Sequence, residues 1–64
     1  MTQKELLYVE DAITHEGNVI KLCEDMVNTL EDEKLILFMD KQIKKHTNIK
    51  DKILNALEDK INGW

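Results

Sequence analysis

Apolar residues recur along the first half of the chain in alternating steps of three and four: Leu6, Val9, Ile13, then Glu16, then Ile20, Cys23, Val27 and Leu30. That spacing is the a/d seam of a heptad. It predicts a long amphipathic helix with a carboxylate where the pattern calls for a hydrophobe. Thr2 and Glu5 have capping-box spacing, so the helix is expected to begin near Gln3. A second stripe runs through Ile36, Met39, Ile43, His46, Ile53 and Leu57, flanked by Leu35, Ile49, Leu54 and Ile61. It also carries one polar interruption, the imidazole of His46. Between the stripes, Asn28-Thr29-Leu30-Glu31-Asp32 reads as the turn, with Asp32 as N-cap of a helix opening at Glu33. Gly63 is expected to stop that helix after Ile61 or Asn62.

Two helices of near-equal length, each about 40 Å at 1.5 Å per residue, predict an antiparallel hairpin. Residues 1–64 then form a single helical-hairpin domain of the all-α class. With the turn near residue 31, positions whose numbers sum to about 62 lie at one height, as Glu16 and His46 do. The two interruptions should therefore meet halfway along. Ala12, Val19 and Met26 widen the first stripe, and Leu35 to Met39 is apolar nearly all round one turn. Faces that broad suit a four-helix bundle, which a two-helix chain reaches by dimerising. The expected core and dimer interface is Leu6, Val9, Ile13, Ile20, Cys23 and Val27 with Ile36, Met39, Ile43, Ile53 and Leu57.

Length strengthens that expectation. At 64 residues the chain is below the roughly 70–80 at which one core readily stabilises itself. One cysteine rules out an internal disulfide, and His15, His46 and Cys23 lack structural zinc spacing. Self-association is then the leading source of stability. No apolar run is long enough to span a bilayer and the start of the chain is not signal-like, which makes a cytoplasmic setting the default. The net charge of −4 disfavours nucleic acid and anionic membranes as partners, and all nine basic residues are lysines, without an arginine for bidentate readout. Residues 2–30 carry six acids against Lys4 and Lys21, while 32–64 carry six acids against seven lysines, so the two helices attract each other modestly.

The candidate chemistry is thin. Glu16 and His46 make a polar core pair that most simply fixes helix register; the competing reading is a metal site built from two copies of each. Di-iron bundles use Glu-x-x-His, but Ile43 stands three residues before His46. Cys23 is expected to be an inert core thiol, His15 to lie on the outer face, and Tyr8 and Trp64 to be partly exposed. Gly17 inside a helix costs about 1 kcal/mol against alanine. It leaves room either for close helix approach or for the partner of Glu16. Lys34, Lys41, Lys44 and Lys45 read as a solvated face with Asp40–Lys44 at i,i+4. No nucleophile–base pair or phosphate loop is present, so no enzyme activity and no cofactor are expected.

The stretch Ala12-Ile13-Thr14-His15-Glu16 leading to Lys21-Leu22, the acidic turn, the helix with His46 and the Gly63-Trp64 ending resemble the Coat F family of bacterial spore-coat proteins. The resemblance implies half of a ferritin-like bundle and a structural role in spore formation. It further implies other coat proteins as partners and Glu16 and His46 as remnants of a metal site. The hairpin also has the length of the Rop type, which binds paired RNA loops on a basic, aromatic face. Here only the lysine patch matches that face.

Overall fold

The computed structural model describes residues 1–62; the expectations for Gly63 and Trp64 lie outside the described residues. The chain forms two helices, α1 (Gln3–Thr29) and α2 (Glu33–Asn62), joined by Leu30, Glu31 and Asp32. They pack against each other as an antiparallel hairpin of 48 × 16 × 11 Å, all-α as the two stripes require. No proline interrupts either helix.

Both ends of the first helix are capped by side chains. The Thr2 backbone N–H donates to Glu5 Oε1 at 2.9 Å, and the Glu5 N–H donates to Thr2 Oγ1 at 3.1 Å. This is the reciprocal box that the sequence predicts. At the other end α1 runs on through Thr29, two residues further than the five-residue turn allows. The Thr29 hydroxyl donates to the carbonyls of Asp25 and Met26 at 3.1 and 3.2 Å, and the Leu30 N–H donates to Met26 O at 2.9 Å. Carbonyls that a glycine cap often serves are thus partnered by a threonine. Asp32 Oδ1 then accepts from the N–H groups of Lys34 and Leu35, at 2.9 and 3.2 Å, and starts α2. No described residue has positive φ, so the tight connection requires no left-handed residue and tolerates the absence of glycine.

What the hairpin lacks is a closed core. Cys23, 7% exposed, is the one buried hydrophobe among the described residues. Every other apolar member of the two seams is half-buried. Leu7, Tyr8, Leu22, Leu35, Leu37, Phe38 and Ile61 are exposed. Leu35 and Ile61, expected to flank the second stripe, lie open to solvent, whereas Ile49 and Leu54 are half-covered. Two helices touch along a single line, so each covers only a narrow strip of the other, and the rest of a broad apolar face stays open.

Candidate functional site: a mid-length polar pair on an open apolar face

Glu16 and His46 meet where the arithmetic of the hairpin puts them. His46 Nδ1 lies 2.5 Å from Glu16 Oε2, a close hydrogen-bond contact in which the ring N–H donates to the carboxylate. The side chains keep 25% exposure at His46 and 15% at Glu16, so the pair is largely withdrawn from water but not sealed. It is the only ion pair among the described residues. Asp40 and Lys44, one turn apart on α2, do not come within pairing distance. The lysine-rich patch there is solvated without that bridge. His15 is exposed, as expected for the outer face.

Lys50 is the residue that the two-stripe reading passes over. It occupies the seam between His46 and Ile53 and is half-buried. The signal was present in the heptad series Ile43, Lys50, Leu57, which steps by seven. A Cβ on Gly17 would lie 3.6 Å from Lys50 Nζ and touch nothing closer. The helices do not need Gly17 in order to approach, and what lies over it is the tip of a flexible side chain. Of the two roles open to Gly17, close backbone approach is the one this geometry does not support.

Helical geometry assigns these groups to opposite sides of the seam. At about 100° per residue, Ala12, Val19 and Met26 border the Glu16–Cys23 edge of the α1 stripe, while Glu10, Gly17 and Glu24 border the other edge. On α2, Leu35, Gln42, Ile49 and Ala56 border the His46 edge, and Asp40, Thr47 and Leu54 the Lys50 edge. Lys50 meeting Gly17 fixes one side of the hairpin, and a cleft fixes the other. That cleft, of about 410 Å³, opens at the end away from the turn, between Glu5 and Lys60, and is lined by Met1, Val9, Ile53, Ala56 and Leu57. The side that carries it is apolar along α1 and near the turn, adding Tyr8, Leu22 and Phe38, while Gln42, Lys45, Lys52 and Asp59 interrupt it along α2. The Glu16–His46 pair borders this face. The Gly17–Lys50 side is charged, with Leu7, Leu37, Leu54 and Ile61 as its scattered hydrophobes.

Two donors per chain do not make a resident metal centre. No group of three or more metal-ligating side chains gathers among the described residues, whereas a catalytic zinc site uses three protein ligands. A single hairpin therefore does not fit the metal that a ferritin-like relationship implies. One carboxyl is shifted: the backbone and hydroxyl hydrogen bonds from Thr2 hold Glu5 below the ordinary glutamate range. Lys4 Nζ stands 5.8 Å from the centre of the Tyr8 ring and screens one side of that exposed aromatic. No described helix is long and apolar enough to cross a membrane. Neither the protein-family models, the curated proteins nor the solved structures contain a match to the chain.

Proposed function

We propose that the chain is a non-enzymatic assembly protein whose hairpin pairs with a second copy to close a four-helix bundle. The observation that carries this reading is the surface left open. A compact folded chain of 7.5 kDa exposes about 4,250 Å² by the usual scaling of area with mass, yet the hairpin exposes 5180 Å². The excess of roughly 900 Å² matches the ~800 Å² that each partner buries in a standard interface. It coincides with an open apolar face on a hairpin 48 Å long. Burial of that face removes exposed rings and aliphatics from water and completes the cover over both seams. Service as a structural component of a bacterial spore coat, with other coat proteins as further partners, rests on the Coat F resemblance and is consistent with a molecule that offers a binding face rather than a reaction centre.

The test is sedimentation equilibrium of the purified protein, with thermal melts over a hundredfold range of concentration and elemental analysis of the same sample. A mass near 15 kDa, twice the 7.5 kDa chain, with a midpoint that climbs by about 5 °C per tenfold increase in concentration, is expected. A 7.5 kDa species whose midpoint ignores dilution refutes the proposal. Stoichiometric copurifying metal would transfer the case to an ion held by Glu16 and His46 of two chains.

A further inference from the structure

Two hairpins can meet face to face with their turns at the same end or at opposite ends, and the two arrangements differ in charge and in fit. Glu24, Asp25, Glu31, Asp32 and Glu33 gather at the turn end against the single base Lys34. Turns at the same end would bring two such clusters together within the width of one bundle. Turns at opposite ends separate them by most of the 48 Å length, several times the ~8 Å over which charges interact at physiological salt. That arrangement also moves each acidic turn to an end of mixed charge, where its partner carries Lys4 and Lys60 beside Glu5, Glu58 and Asp59.

The apolar groups point the same way. The cleft lies at the open end, while Leu35 and Phe38, the latter 52% exposed, stand out near the turn on the same side of the hairpin. Counted from His46, Leu35 and Phe38 lie 11 and 8 residues toward the turn, and Ile53, Ala56 and Leu57 lie 7, 10 and 11 residues the other way. A two-fold axis through the Glu16–His46 pair therefore carries the protruding residues of one copy onto the cleft of the other, at matching height. Large side chains without cover meet an open cleft at the same height, and filling it is how interiors reach full packing density.

We propose that two copies pack head to tail, with Leu35 and Phe38 of each seated in the cleft between Val9, Ala56 and Leu57 of the other. This rests on the homodimer reading above and specifies its interface. The experiment places a nitroxide on the exposed turn of the intact chain (Glu31→Cys, with Cys23→Ser) and measures the distance between labels by pulsed EPR. Its companion compares the dimer dissociation constants of Phe38→Ala and of Leu7→Ala, on the opposite side, with native Cys23 retained. Labels about 40 Å or more apart are expected from the 48 Å hairpin. Phe38→Ala should raise Kd at least tenfold and Leu7→Ala less than about threefold. Labels closer than about 25 Å in a sample with dimer mass overturn the head-to-tail arrangement and leave the dimer standing, since bundle helices lie only ~8–10 Å apart. Equal effects of Phe38→Ala and Leu7→Ala overturn the assigned face. A monomer mass overturns the dimer and this arrangement together.

Discussion

Replacing His46 with leucine leaves the Glu16 carboxylate, 15% exposed, without its hydrogen-bond partner. The cost follows from how far the pair has left water. Exposed ion pairs contribute about 0–1 kcal/mol, and breaking a fully buried one costs about 3–5 kcal/mol. Exposures of 15% and 25% put this pair between those limits. His46→Leu should cost about 2 kcal/mol per chain. Glu16→Leu should cost about 1 kcal/mol, because an unpaired imidazole is easier to accommodate than an unpaired carboxylate. The double replacement restores an unbroken apolar seam, so it should return stability to the parent level or exceed it. The coupling between the two sites is then about 3 kcal/mol. Urea melts of the four proteins at one fixed concentration measure it, with constant m-values as the check that the states being compared are the same. If the two single costs simply add, to within about 0.5 kcal/mol, the two residues do not act as a unit and the register argument fails.

Gly17→Ala should stabilise the protein by about 0.5–1 kcal/mol, since the new methyl meets only Lys50 Nζ at ordinary contact distance; a loss in the same urea assay would mean that the bare backbone is needed. Thr2→Ala should cost about 1 kcal/mol by removing the cap of α1, read as a lower melting midpoint. Glu5 supplies the matching pH dependence. Its folded pKa is depressed by the Thr2 hydrogen bonds, so its stabilisation is present above the unfolded-state value and is lost as pH falls through the folded one. The Thr2→Ala protein should lose less stability over that acid window than the parent, and parallel pH profiles would contradict this account.

Much of the hairpin is legible in the residues themselves. Thr2 and Glu5, Asp32, and the equal distances of Glu16 and His46 from the turn are local or arithmetic signals, and each has its counterpart in a hydrogen bond of the structure. The end of α1 is harder to read because a threonine hydroxyl bonding back to Asp25 and Met26 does the work often given to glycine. Lys50 escapes notice because a lysine at a seam position is ordinarily dismissed as solvent-facing. A long aliphatic stem lets it lie in the seam while its ammonium reaches the edge at Gly17. The cleft near Ala56 has no signature of its own. It arises between the ends of two helices where small Ala56 leaves space among Met1, Val9, Ile53 and Leu57, a property of their juxtaposition and not of any single residue.

The three-residue link at Leu30–Asp32 has a kinetic consequence. Contacts beside it join residues only a few positions apart, and the separation in sequence grows steadily toward the far end, so the hairpin should zip outward from the link at the speed of short loop closures. The last rungs to form are those around Leu6 and Leu57, which also fray first. In the proposed head-to-tail pair, the earliest-formed end of each chain would clamp the latest-formed end of its mate, and dissociation should begin by local melting there instead of by wholesale parting of two rigid rods.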